Sequence, residues 1–135
     1  MDPIRVVVHF RDNRLIKGYT KNFNPTTPSF HLTPEGSQGQ DSQAVKIEVS
    51  DLKAVFFVKT FDGNRDYEER KVFTPQDRAQ GRKVEVTFAD GEVLQGSTVG
   101  YDPQRTGFFL IPADPLSNNV RIFVVSAAVK HFRFL

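Results

Sequence analysis

The chain has 135 residues, of which 39% are hydrophobic and 13 are phenylalanine, and this composition favours a folded core over a disordered chain. Its 18 basic and 16 acidic side chains nearly balance, so there is no strong field for phosphate backbones, and nucleic-acid binding is allowed but not indicated. The lack of cysteine excludes disulfides, thiolate nucleophiles and zinc sites built on cysteine.

Segments typical of strands and turns follow one another from residue 6 onward. Residues 6–11 alternate apolar and other side chains, as a half-buried strand does. Asp12 and Asn13 suit a tight hairpin turn, and a second strand is predicted from residue 15 to about residue 23. Within it, Gly18 allows the sharp bend that a small barrel needs, the alternative being the close approach of a ligand. Three further strands are predicted at residues 30–33, 45–49 and 52–58.

The same pattern recurs 78 residues later in the chain. Between residues 6–34 and 84–112, ten of 29 aligned positions are identical, whereas roughly two identities would arise by chance. The remaining segments align with small shifts, residues 45–49 with 120–124 and residues 52–58 with 129–135. The sequence therefore predicts an all-β protein of two tandem five-stranded small barrels, copy 1 at residues 4–58 and copy 2 at residues 82–135.

Between the copies, residues 59–81 form a charged linker. In it Thr74 suits a helix N-cap, Pro75 suits the first helical position, and Asp77 suits the first turn. One short helix is predicted there, ending near Gly81.

Two of the predicted strands are apolar on both faces: the last strand of copy 1 and the fourth strand of copy 2. Such strands require cover on both faces, and modules of about 55 residues are only marginally stable alone. We therefore expect the barrels to join edge to edge through Val55, Phe56, Phe57, Val58, Ile122, Phe123, Val124 and Val125. The pattern leaves open whether the barrels close separately or share one sheet, and self-association through the other barrel edges is allowed.

With its alternating first strand, Asp-Gly type of turn and glycine in a bent second strand, each copy resembles the Sm-like barrel. Neighbouring Sm-like subunits join through strands four and five, so the resemblance implies the same junction between the copies. More closely, residues 52–58 and 107–119 resemble segments of an uncharacterised bacterial family of tandem Sm-like domains. Members of that family occur alone or beside PilZ domains, which bind cyclic di-GMP, so the resemblance implies a signalling neighbourhood.

The binding motifs of these relatives are missing from the chain. RNA-binding Sm proteins carry an Arg-Gly or similar loop between strands four and five, where this chain has Ser50 and Asp51 in copy 1 and Ser-Ala-Ala at residues 126–128 in copy 2. The Arg-x-x-x-Arg and Asp/Asn-x-Ser-x-x-Gly patterns of PilZ domains are also absent. The resemblance therefore implies the fold but does not indicate which ligand the chain binds.

No catalytic arrangement is recognisable in the sequence. His9 and His31 lie on neighbouring predicted strands and could meet, but zinc needs three or four ligands, so these and His131 are interpreted as ordinary strand histidines. No Ser-His-acid set, nucleophile elbow or phosphate-binding glycine loop is present. The sequence predicts no enzyme activity, no cofactor and no metal.

The most distinctive local segment is residues 112–119 of copy 2, a loop stiffened by two prolines. Stiff polar loops on a rigid scaffold are common binding sites. A protein partner is therefore expected to contact Asp114, Ser117, Asn118, Asn119 and Arg121. The alternative is that these side chains only stabilise the turn.

Copy 1 has a basic face instead. Basic and aromatic side chains together can hold a single strand of nucleic acid by charge and stacking. The residues of this alternative site are Arg5, Arg11, Arg14, Lys17, Lys21 and Phe23. A solvated basic face without a ligand is the other interpretation.

These observations predict a non-catalytic bacterial adaptor that binds a protein partner in a signalling context, with single-stranded nucleic-acid binding as the alternative. The first residues lack the basic and apolar regions of a secretory signal, and the apolar residues 120–129 are too few to span a bilayer. A cytoplasmic location without membrane attachment is expected.

Overall fold

The computed structural model describes residues 4–36, 43–63, 66–70, 72–74, 79 and 81–135, and it is almost entirely β-structure. The strands of copy 1 are β1 (Ile4–Phe10), β2 (Leu15–Thr20), β3 (Ser29–Pro34), β4 (Val45–Glu48) and β5 (Leu52–Val58). Those of copy 2 are β6 (Arg82–Phe88), β7 (Val93–Thr98), β8 (Gly107–Pro112), β9 (Asn119–Val125) and β10 (Val129–Phe134). A short 3-10 turn precedes the fifth strand of each copy, at Val49–Asp51 and Ser126–Ala128. The predicted all-β class is confirmed.

The ten strands form one antiparallel sheet in the order β10-β6-β7-β8-β9-β5-β1-β2-β3-β4. The expectation of two barrels needs correction here, because neither set of five strands closes on itself. A strand edge can pair with only one neighbour, and the outer edge of β5 pairs with β9 of copy 2 rather than with β4. The two copies therefore share a sheet, the arrangement that the sequence pattern left open.

The sheet encloses two hydrophobic cores, and strands β5 and β9 contribute to both. Core 1 lies in copy 1 and receives Val55 and Phe57 from β5 together with Phe123 and Val125 from β9. Core 2 lies in copy 2 and receives the alternate residues of the same strands, Ala54, Phe56, Ile122 and Val124. Both faces of the junction strands are thus buried, which explains why neither strand alternates in its sequence.

The two hairpin turns adopt the conformation that their sequences favour. Asn13 and Gly91 have φ values of 74° and 95°, in the left-handed region that asparagine and glycine tolerate best. Asp12 and Asp90 each accept a hydrogen bond from the backbone N–H two residues on, at 3.1 Å and 3.0 Å. The following strands end at Thr20 and Thr98, three residues earlier than predicted in each copy.

Gly18 and Gly96 are required by the close approach of a neighbouring strand. A Cβ atom on Gly18 would lie 2.4 Å from the Thr33 carbonyl oxygen, and one on Gly96 would lie 2.3 Å from the Ile111 oxygen. Any side chain there would collide with backbone, so both positions serve the packing of the second strand against the third.

Strand registers correct one part of the repeat alignment. Phe30 pairs with Ile47 in copy 1, and its equivalent Phe108 pairs with Val124 in copy 2. Ile47 therefore corresponds to Val124, not to Ile122 as in the sequence alignment. The error of two residues keeps the same face of the strand, so the apolar pattern alone could not reveal it.

The outer face of the first and fifth strands differs between the copies. In copy 1, Val7 pairs with Phe56, and both side chains are buried in core 2. In copy 2, the equivalent pair is Glu85 and Arg133. The same position is thus apolar where the other copy covers it and charged where it lies at the end of the sheet.

The helix predicted from Thr74 falls on residues 75–78 and 80, which lie outside the described residues. Within the part of the chain that the structure describes, no helix is long and apolar enough to cross a membrane.

Candidate functional site

The loop between β8 and β9 directs its polar side chains toward the linker of the same chain. Asp114 and Ser117 are buried. The Asp114 carboxylate accepts hydrogen bonds from the Tyr67 hydroxyl and, at 2.9 Å, from the Arg70 N–H, and these bonds lower the pKa of Asp114, the Tyr67 bond most. The Ser117 hydroxyl donates to the Glu69 carboxylate.

Asn118 completes this attachment at the start of the linker. Its side-chain amide donates to the Thr60 carbonyl at 2.8 Å, and its carbonyl oxygen accepts the Thr60 N–H at 3.2 Å. Its backbone carbonyl accepts the Lys59 N–H at 2.9 Å, while the Asn119 N–H donates to the Ser117 hydroxyl at 2.9 Å. The loop residues predicted to contact a partner therefore hold the linker against copy 2.

Arg121, the last residue of the predicted partner site, lies on β9 at the junction. Its guanidinium carbon is 4.5 Å from the centre of the Phe57 ring and 4.4 Å from that of the Phe109 ring. These are cation–π distances, so Arg121 packs on aromatic side chains of both copies.

The basic face of copy 1 is also engaged with the linker. Arg5 donates to the Lys59 carbonyl at 3.4 Å, and Lys17 donates to the Phe61 carbonyl at 3.2 Å. Arg14 forms a 2.7 Å ion pair with Asp12. These contacts occupy three of the five predicted cations.

Phe23, the proposed stacking residue of the basic face, packs on core 1. Its ring centre lies 5.1 Å from that of Phe30, 5.3 Å from that of Phe57 and 5.2 Å from that of Phe123, in edge-to-face geometry. The nucleic-acid alternative therefore retains two exposed cations outside these contacts, Arg11 and Lys21.

An ionic cluster centred on a largely buried lysine joins the two copies on the outer face of β5. The Lys53 side chain is only 12% exposed, and its ammonium lies 2.7 Å from Asp90 and 2.6 Å from Glu92, both at the β6–β7 turn. Burial lowers the pKa of Lys53, but hydrogen bonds to the two carboxylates outweigh this effect and the pKa is raised. The neighbouring His9 ring lies 4.2 Å from the Phe56 ring, and burial first and Lys53 second lower the pKa of His9 to about 4.

The His9 shift predicts a specific sensitivity to acid. The pKa of His9 is about 4 in the folded chain, against the ordinary 6.5 of a histidine in the unfolded chain, so below pH 6.5 the unfolded state binds the proton more readily. Stability is therefore lost as the pH falls from 6.5 toward 4. Replacing His9 by phenylalanine should reduce the stability lost between pH 7 and pH 4.5 by about 1–3 kcal/mol, measured by urea unfolding at both values.

Phenylalanine keeps the contact with Phe56 but cannot take up a proton, so the comparison isolates the imidazole. The exposed His131, changed to glutamine, is the control and should retain the wild-type pH dependence. A His9→Phe protein as acid-sensitive as the wild type would contradict the prediction.

Two of the clefts on the described surface are large enough to be considered as ligand sites. One of about 330 Å³ lies between the β2–β3 loop and the β7–β8 loop, with Phe108, Phe109 and Phe123 at its base and Arg105 on its rim. Arg105 lies 3.8 Å from Asp102. The other, of about 560 Å³, is lined by the linker and by Asn118. A ligand site usually combines an apolar pocket with convergent polar groups. In these two clefts the polar side chains of Arg105, Glu69 and Asn118 already contact other residues of the chain.

Within the part of the chain that the structure describes, the sheet edge along β10 has no neighbouring strand. Among the described residues, β10 is hydrogen bonded only to β6, and β4 at the opposite end only to β3. Strand β4 has four residues and carries a Lys46–Glu48 ion pair at 3.3 Å, which makes it a poor template for another strand. Strand β10 has six residues.

The backbone of β10 presents hydrogen-bonding groups on its open side. The Leu135 N–H donates to the Lys83 carbonyl at 2.9 Å. Because successive residues of a strand direct these groups to opposite sides, those of Arg133 also point toward β6. The backbone groups of Phe132 and Phe134 therefore point outward.

An aromatic ladder, formed by Phe108, Tyr101, Phe132 and Phe134, borders this edge on the core face of the sheet. Tyr101 stacks on Phe132 with ring centres 3.9 Å apart, and Phe134 lies edge-on to Phe132 at 5.1 Å. Phe134 is 43% exposed, and the Arg82 guanidinium lies 3.8 Å from its ring centre. The ladder and the open backbone together form the β10 edge surface.

Comparison with known proteins places the chain in a family. A family model described as "Family of unknown function (DUF6982)" matches residues 2–135. The chain belongs to DUF6982. No curated protein and no solved structure matches it. The matched residues include both copies and the linker between them.

The sequence interpretation missed the β10 edge surface of this DUF6982 chain. The available signal was the spacing of Phe132 and Phe134 between charged residues on the last strand, a pattern that the matching strand of copy 1 lacks. Within the described residues, no group of three or more histidine or carboxylate side chains is placed to hold a metal ion.

Proposed function

We propose that this DUF6982 protein is a non-catalytic binding protein that captures an extended strand of a protein partner along β10. The pairing of β9 with β5 supports this proposal most directly. Strand β10 is the equivalent of β5 in copy 2, and its corresponding edge has no neighbour among the described strands. Addition of a strand to an open sheet edge is a common mode of peptide recognition.

The wider role that we propose is that of an adaptor in bacterial signalling. The junction of β5 with β9 joins a fifth strand to a fourth strand, as Sm-like subunits do, and it supports the resemblance to paired Sm-like domains. The signalling context rests on the occurrence of such domains beside PilZ domains.

A protein partner is favoured over nucleic acid because several cations of the described chain already have partners. Arg14, Arg133 and Lys53 form ion pairs with carboxylates. Arg5 and Lys17 donate instead to backbone carbonyls of the linker. Phosphate-dominated binding needs several cations free to displace counterions.

The proposal is tested by selecting peptides from a displayed library of random dodecapeptides on the immobilised full chain. Selected peptides are then mapped on the isotope-labelled protein by amide chemical shifts. We expect the largest shifts at Phe132 and Phe134, and we expect Phe134→Lys to abolish the binding. Leu116→Lys, which places the same charge at another exposed apolar position, is the matched control and should bind normally.

Failure to select any peptide, or shifts confined to other surfaces, would contradict the proposal. A single-stranded oligouridine is tested in parallel at low and moderate salt. Salt-sensitive binding that Arg11→Gln with Lys21→Gln removes would favour the nucleic-acid alternative instead.

A further inference from the structure

We infer that the strand captured on β10 alternates acidic with apolar side chains. This inference rests on the proposed function and specifies the chemistry of the partner. The evidence for it is the difference between β10 and its equivalent β5. Strand β5 already pairs with β9, so the side chains that face each other at that junction are known.

The internal junction shows which residues a docked strand faces. Ala54 lies opposite Val124, and Phe56 lies opposite Ile122. All four side chains are buried in core 2, so an apolar strand residue meets an apolar residue of β5. Cross-strand neighbours of this kind determine which strands pair.

On β10 the same two positions have become basic or polar. His131 and Arg133 occupy the places of Ala54 and Phe56, because they pair with Thr87 and Glu85 as those residues pair with His9 and Val7. An apolar strand like β9 would cover these polar groups without offering them any hydrogen-bond acceptor, which costs free energy. A strand with carboxylates opposite His131 and Arg133 would satisfy them instead.

The charge around the outer face of β10 is complementary to such a strand. Residues 115–135 contain no aspartate or glutamate, and β10 adds the exposed Lys130 to His131 and Arg133. Glu85 of β6 is the acid that contacts Arg133, and its carboxylate accepts hydrogen bonds from Arg133 at 2.8 Å and from Gln95 at 2.9 Å. The Arg133 guanidinium has further N–H donors to offer, so a second carboxylate can bind there.

On the core face of β10, the docked strand is expected to carry apolar side chains. Phe132 and Phe134 pair with Val86 and Val84 and so lie on the face of core 2. A docked strand would place every second side chain on this face, where it would cover the exposed Phe134. Alternation of acidic and apolar residues follows from the two faces together.

The test uses three capped nonapeptides and the full chain, with affinities measured by fluorescence anisotropy. The first alternates glutamate with valine and phenylalanine, the second has lysine in place of glutamate, and the third has the composition of the first in an order without alternation. We expect the first peptide to bind at least tenfold more tightly than either of the others.

Two double variants then show which basic residues bind the acidic peptide. Lys130→Gln with Arg133→Gln should weaken binding of the acidic peptide roughly fivefold, as expected for two partly exposed ion pairs. Arg11→Gln with Lys21→Gln removes the same charges from copy 1 and should leave the affinity unchanged.

The outcomes separate this inference from the proposed function. Equal binding of the acidic and lysine peptides at β10 would overturn the inference and leave strand capture in place. If none of the peptides binds and the dodecapeptide library also yields no ligand for β10, both fail. Loss of affinity in the copy 1 double variant would place the acidic peptide elsewhere and would also overturn the inference.

Discussion

Replacing Phe123 by alanine is expected to lower the free energy of unfolding by about 3–5 kcal/mol. Phe123 belongs to β9 of copy 2, yet its side chain is 1% exposed and lies in core 1 of copy 1. Its ring lies 5.2 Å from both Phe23 and Phe109, so truncation removes aromatic contacts as well as apolar burial. Urea unfolding followed by circular dichroism measures the loss.

The position of Phe123 also predicts where the damage occurs. Amide exchange in β1 and β3 of copy 1 should accelerate in the Phe123→Ala protein, although the substitution lies in copy 2. Phe134→Ala, at a side chain that is 43% exposed, is the control and should cost less than about 1 kcal/mol. A cost below 1 kcal/mol for Phe123→Ala, or faster exchange confined to copy 2, would show that the copies do not depend on each other in this way.

The second large expected effect is that substitutions at both sheet edges make the chain self-associate. If the outer positions of β10 and β4 receive the apolar residues of the internal junction, chains should join head to tail. On β10 the changes are His131→Ala and Arg133→Phe, which copy Ala54 and Phe56. On β4 they are Lys46→Phe and Glu48→Val, which copy Phe123 and Val125 through the corrected register. Light scattering coupled to size-exclusion chromatography should then show species of several chains.

The physical reason is that β10 and β4 repeat the strand types of the internal pair. In the wild-type chain, the register of that pair would set His131 against Ile47 and Arg133 against Val45. Burial of these polar side chains against apolar ones opposes the contact, and charged edge residues are a common barrier to strand addition.

Variants with only one altered edge provide the decisive comparison. The β10 double variant and the β4 double variant should each retain the mass of the wild type, because each lacks the complementary edge. Mixed in equal amounts, they should form a one-to-one complex that stops at two chains. If the mixture does not associate, or if either variant polymerises alone, the β5–β9 junction is not a template for contacts between chains.

Local patterns in the sequence were sufficient for the strands and turns. The alternation at residues 6–11 and the Asp12-Asn13 turn each follow from a short-range rule of backbone geometry or burial. Gly18 was predicted to allow a bend, whereas the structure requires it because the Thr33 carbonyl of the third strand lies so close. The two doubly apolar strands also indicated which edges meet, since only cover on both faces explains such a composition.

The arrangement of polar side chains could not be predicted in the same way. Asp114 bonds to Tyr67, 47 positions earlier, and Arg5 bonds to the Lys59 carbonyl, 54 positions later. No periodicity marks these contacts, so a loop that holds the linker resembles a loop that awaits a partner. Phe23 similarly resembles an exposed stacking residue in the sequence, because its place on core 1 depends on Phe123 of the other copy.

Because the copies exchange side chains, neither copy can be lost without exposing the core of the other. A chain cut within the linker would leave Phe56 and Val7 of the first half facing water, and it would remove Phe123 and Val125 from the core that they fill. Natural deletions of either half should therefore be selected against even where only one half contacts a partner. The two halves are free to diverge at their outer edges but not where they meet.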